Sequence, residues 1–139
     1  MTRRLPLLLL LPVLALGACS AVEDAASDAA SDAGSRVACE LAQPAIDQGR
    51  TLVDDVTARI DADPQSVRTE LAAAGEALGI AEQGLSGEVR DLVARASDAV
   101  DELRTQAEAA ADGTTVDEQV VQSAQAEYDA AAEDLAGVC

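Results

Sequence analysis

The chain of 139 residues sets 26 acidic residues against nine basic ones, all of them Arg, for a formal net charge of −17. That field repels nucleic acid and anionic headgroups and attracts cations or basic protein surfaces, so nucleic-acid binding is excluded. With no His and no Lys, the usual general base, the commonest zinc ligand, a Schiff base and a phosphate-loop lysine are excluded as well.

The chain opens with Met1-Thr2-Arg3-Arg4, followed by an apolar run over residues 5–16 broken only by Pro6 and Pro12, and then Gly17-Ala18-Cys19-Ser20. A charged start, an apolar stretch of about a dozen residues and small residues before a cut form the pattern of a secretory signal. The run is shorter than the roughly 20 apolar residues a spanning helix needs, which argues against the alternative of an uncleaved anchor.

Residues Leu16-Gly17-Ala18-Cys19 resemble the lipobox of bacterial lipoproteins. The resemblance covers the first 20 residues and implies a signal peptide over residues 1–18, cleavage between Ala18 and Cys19, and a diacylglyceryl thioether on the Cys19 sulfur. It implies a protein held by lipid on the outer face of the cell membrane. Two acyl chains hold without help from the protein surface, which matters for a chain whose acidity would push it off an anionic leaflet. Arg3-Arg4 also leaves twin-arginine export open, although the surrounding residues fit that pattern poorly. All 26 acidic residues and seven of the nine Arg lie beyond residue 18, so the remainder carries a formal charge of −19.

Residues 19–36 are built from Ala, Ser and Asp, with Ala-Ala-Ser-Asp recurring at Ala25 and Ala29. Such a composition cannot bury enough surface to offset its ordering entropy and is expected to be an acidic, extended tether. The rival is a solvated helix, because Ala favours helix and a four-residue repeat keeps one face aligned.

Residues 37–139 form the expected folded domain, and their apolar spacing is helical throughout. The first segment, residues 40–61, carries Leu41, Ala45, Leu52, Val56 and Ile60, flanked by Ile46 and Val53; Pro44 is tolerable only in its first turn. Asp63 and Pro64 suit the cap and first residue of a second segment, with Val67, Leu71, Ala74, Leu78, Ala81 and Leu85 in line. Ser86 can cap a third, which carries Val89, Leu92, Val93, Ala96, Val100 and Leu103 before a glycine stop at Asp112-Gly113. Thr115 and Glu118 have capping-box spacing ahead of a fourth, with Val116, Val120, Ala124, Tyr128, Ala131 and Leu135. Isolated helices of this length are marginal in water, and short connections favour antiparallel neighbours. The expected fold is all-α, an antiparallel up-down bundle of four helices.

Once lipid takes Cys19, Cys39 and Cys139 remain at the two ends of the helical region. Outside the cytoplasm an even remainder reads as a disulfide. Bonded cysteines need Cα atoms within about 7 Å. Four helices bring the ends together, whereas three would leave them roughly 30 Å apart at about 1.5 Å per residue. A reactive or intermolecular thiol at Cys139 is the alternative, disfavoured because no His or Lys is present to lower its pKa.

The acidic pairs and clusters at Asp54-Asp55, Asp61 with Asp63, Asp98 with Asp101-Glu102, and Glu133-Asp134 lack the spacing of a calcium loop. They read as solvated helix faces and caps, with Asp55–Arg59 and Asp91–Arg95 at helical ion-pair spacing. Tyr128, the only aromatic, lies on an apolar line and is expected in the core with a wet hydroxyl. No catalytic residue, metal ligand or cofactor site is expected. These readings favour a non-enzymatic, lipid-anchored envelope protein with a structural or protein-interaction role, whose partner is a basic protein. The alternative is an extracytoplasmic binding module for cations or a small ligand.

Overall fold

The helical periodicities become four helices in the computed structural model, which describes residues 20–139, with side chains from Gly34 onward. They are α1 (Ser20–Arg59), α2 (Pro64–Gln83), α3 (Gly87–Ala111) and α4 (Glu118–Val138), with no strand among the described residues. Each short connection reverses the chain, giving an antiparallel up-down bundle. Helix α3 packs closely on both α2 and α4 and reaches across to α1, which closes the bundle more loosely against α2 and α4.

Two helix starts and one stop follow local chemistry. Asp63 caps α2, its carboxylate accepting a hydrogen bond from the Ser66 amide at 3.4 Å, with Pro64 as the first helical residue. Ser86 holds the extended backbone of an N-cap before α3, but its side chain makes no capping hydrogen bond. At the far end of α3 the Thr114 amide donates to the Ala109 carbonyl at 2.8 Å and the Gly113 amide to the Ala110 carbonyl at 3.0 Å. These two bonds form a Schellman stop, and Gly113 takes the left-handed φ of +80° that it requires.

Two local expectations are corrected. The fourth helix is capped by Asp117, whose carboxylate accepts from the Gln119 and Val120 amides, and not by a Thr115–Glu118 box. Val116, just before that cap, and Val121, four residues into the helix, are both buried, the positions of a hydrophobic staple. Pro44 lies inside α1 and not in its first turn, because helical backbone starts at Ser20, within the stretch read as a tether. Pro44 is exposed, so the carbonyl its missing N–H leaves without a donor lies on the solvent side. Residues 34–36 of that stretch are exposed, and from Gly34 onward the first buried position of α1 is Ala42.

The core consists of Val, Leu, Ile and Ala around Tyr128, with no charged or polar residue buried among the described residues. The stripes of α2 and α3 lie where expected. That of α1 holds at Val56 and Ile60, which are buried as expected, but is turned by one residue before them: Ala42, Ile46 and Val53 are buried, while Leu41 is 54% exposed and Leu52 only partly covered. Each seam between neighbouring helices carries one arginine reaching across it. Arg59 meets Glu70 (α1–α2, 2.7 Å), Arg90 meets Glu82 (α2–α3, 3.2 Å), Arg95 meets Asp134 (α3–α4, 2.9 Å) and Arg50 meets Asp129 (α4–α1, 3.0 Å). Exposed pairs are each worth roughly 0.2–1 kcal/mol, so together they select neighbours and register more than they stabilise.

Candidate functional site

The seam between α1 and α4 joins the two ends of the folded region. Cys39 and Cys139 are bonded at a Cα–Cα distance of 5.6 Å, closing a loop over a sequence separation of 100. Farther along, the Arg50 Nε donates to an Asp129 carboxylate oxygen and its Nη2 to the Asp129 carbonyl at 3.2 Å. Next the Gln125 amide donates to Asp54 at 2.8 Å. The pairs descend α4 as they climb α1, as an antiparallel register requires.

Tyr128 sits in the middle of this seam, and its hydroxyl departs from expectation. The side chain is 0% exposed. Its hydroxyl is not wet but donates to the Ile46 carbonyl at 2.9 Å. Burial pushes the phenol up to about 12, with small opposing influences from Arg50 and from Asp47 and Asp129. The space for the hydroxyl is left by Gly49, which the sequence reading had not singled out.

The acidic clusters are largely consumed by the fold. Asp54 accepts from Gln125, Asp55 pairs with Arg59 one turn along, Asp63 caps α2 and Asp101 pairs with Arg104 at 3.3 Å. The expected Asp91–Arg95 pair is replaced: Arg95 turns to Asp134 and Glu127 of α4. Its guanidinium is held protonated more firmly than usual by those hydrogen bonds, that to Asp134 first. Among the described residues no group of three potential metal ligands converges.

Grooves of similar size open between α3 and α4, where Arg95, Asp98, Glu102 and Glu127 wall the cleft, and between α1 and α2, where the lining is mainly apolar. Between α1 and α2 runs a groove of about 450 Å³, floored by Ala45, Gly49, Ala74 and Leu78 and walled by Leu52 and Ala77. Glu70 also lines it, and is held by Arg59, which bonds Asp55 as well. Hydrogen bonds from Arg59, then Ser66, keep the Glu70 carboxyl below its ordinary value of 4.5. Toward the disulfide end the groove is continued by two large apolar side chains left in water, Leu41 (54% exposed) on α1 and Ile80 (64% exposed) on α2. Leu41 is one turn before Ala45 on the line that continues to Leu52, and Ile80 is one turn beyond Ala77, so each extends a wall of the groove. Ile80 was missed in the sequence because it lies on the side of α2 opposite Leu71, away from the stripe that reads as core.

Ala18 and Cys19, the expected cleavage and lipidation positions, lie outside the described residues. Among the described residues no helix is long and apolar enough to cross a membrane. Compared with known proteins, the chain matches no family model, no curated protein and no solved structure.

Proposed function

We propose that the protein is a lipid-anchored lipoprotein of the bacterial cell envelope, displayed on the extracytoplasmic face of the cell membrane, with a non-enzymatic structural or protein-interaction role. The observation that carries this reading is the succession of Arg3-Arg4, a short apolar run and Leu16-Gly17-Ala18-Cys19 at the start of the chain. Two features support it. The disulfide between Cys39 and Cys139 suits an oxidising compartment and leaves Cys19 as the remaining cysteine of three. Many of the acidic side chains of the folded region serve in caps and ion pairs, and the groove between α1 and α2 is lined mainly by small apolar residues, a surface of the kind that receives another helix.

Metabolic labelling tests the anchor. Radiolabelled palmitate is expected to enter the wild-type protein and not the Cys19→Ala variant, and the variant is expected to leave the membrane pellet. A variant that stays in the pellet without label defeats the reading. Crosslinking on intact cells followed by capture on the membrane-bound protein tests the interaction role, and recovery of the protein alone counts against it. The alternative, a binding module for cations or a small ligand, predicts saturable calcium binding by calorimetry.

A further inference from the structure

We propose that the groove between α1 and α2 is a docking site for a basic amphipathic helix of an envelope partner. This rests on the interaction reading above and names the surface and the chemistry of the partner.

The groove is lined mainly by small apolar side chains, with Glu70 the one charged residue among them, whereas the groove of similar size between α3 and α4 is walled by Arg95, Asp98, Glu102 and Glu127. This chain has few large apolar side chains, yet Leu41 and Ile80, one turn beyond the groove's lining on α1 and α2, stand more than half exposed. The floor that runs on from them is made of small residues, Ala45, Gly49 and Ala74. Small floors let another helix approach closely, and large residues at the walls then pack against its flanks, as in helix-in-groove recognition. The α1–α2 seam is also one of the looser ones of the bundle, whereas α2–α3 and α3–α4 are tightly closed.

Charge decides among occupants. Glu70 of the lining shares Arg59 with Asp55, which leaves that triad one negative charge in excess. Glu76, exposed on α2 outside the groove lining, lies one turn before Ile80 and places a negative charge beside it. No Lys exists to offset them, and the chain as a whole carries −17. A second copy of this chain or an anionic bilayer would be repelled, whereas an apolar helix face flanked by Lys or Arg meets both the floor and the rim.

The test uses the full protein as the cell exports it, held in nanodiscs of zwitterionic lipid. Two helical peptides of about 18 residues share one Leu/Ala face and carry either Lys or Glu elsewhere. Methyl NMR resolves the three isoleucines, of which Ile46 and Ile60 are buried and Ile80 is exposed. The Lys peptide is expected to shift Ile80 and Leu52 strongly while Ile46 and Ile60 move little. The Glu peptide is expected to bind at least about tenfold more weakly. The double variant Leu41→Gln/Ile80→Gln changes only exposed side chains; with its melting unchanged it is expected to weaken the Lys peptide by about tenfold or more. Equal binding of both peptides, shifts confined to the α3–α4 side, preferential association of the groove with anionic vesicles, or tight self-association that shifts Ile80 would each overturn the proposal. If the double variant still captures the crosslinked partner undiminished, the groove assignment fails while the interaction reading stands; if the wild type captures none, the interaction reading itself has failed.

Discussion

The hydroxyl oxygen of Tyr128 lies 1.8 Å from where a Cβ on Gly49 would stand, and its ring carbon Cζ lies 2.8 Å from the same point. The only aromatic of the chain thus enters the bundle through a notch that one glycine keeps open. Gly49→Ala must push the ring away and break the bond to the Ile46 carbonyl. Chemical denaturation is expected to show a loss of about 1–3 kcal/mol, the usual cost of overpacking. Gly79→Ala, inside α2 with nothing within 4 Å of its would-be Cβ, is expected to stabilise by about 0.5–1 kcal/mol. Equal effects of the two substitutions would contradict the notch.

The same burial sets an alkaline limit. Tyr128 is the only tyrosine, so absorbance near 295 nm follows it alone. Its phenol is raised from 10.0 to about 12 in the folded protein. The unfolded chain therefore releases this proton first, and stability falls as pH rises from about 10 toward 12. Ionisation is expected with a midpoint near 12, coupled to loss of structure; a reversible midpoint near 10 in the folded protein would show a wet hydroxyl.

The bond from Cys39 to Cys139 closes a separation of 100 residues, for which the chain-entropy account gives roughly 4.7 kcal/mol. Against a typical net stability of about 5–15 kcal/mol, that is a large share for a core with one aromatic side chain. Reduction, or Cys139→Ser, is expected to lower the stability by about 2–5 kcal/mol in denaturant titrations. An unchanged denaturation midpoint would mean the ends are held by packing alone.

Arg59 keeps the Glu70 carboxyl below 4.5 in the folded state, so its contribution is present above that pH and is lost as pH falls through the folded value. The stability difference between wild type and Glu70→Gln is expected to be constant above about pH 5 and to shrink below 4.5. A difference that persists unchanged into stronger acid would remove this pair from the α1–α2 seam.

Helices α2 and α3 were legible because their large residues fall on one line: Val67, Leu71 and Leu78 are all buried, as are Val89, Leu92, Val93, Val100 and Leu103. The helix number followed from the cysteine pair. In α1 two lines compete, Leu41-Ala45-Leu52 and Ala42-Ile46-Val53, one residue apart. Size favours the first, but the structure buries the second, because Gly49 lies on it and receives Tyr128 from a helix far along the chain. Non-local partners likewise decide Arg95, whose local companion Asp91 loses to Asp134 of α4. The groove was hidden for the same reason, since Ile80 reads as a stray until α1 lies beside it.

The anchor on which the functional reading depends is tested most directly by intact-mass and N-terminal peptide spectrometry on the protein recovered from membranes. The account predicts a chain that begins at Cys19, carries the mass of a diacylglyceryl group on that residue, and retains the Cys39–Cys139 bond. A chain that begins at Met1, or one cleaved elsewhere with an unmodified Cys19, would contradict it.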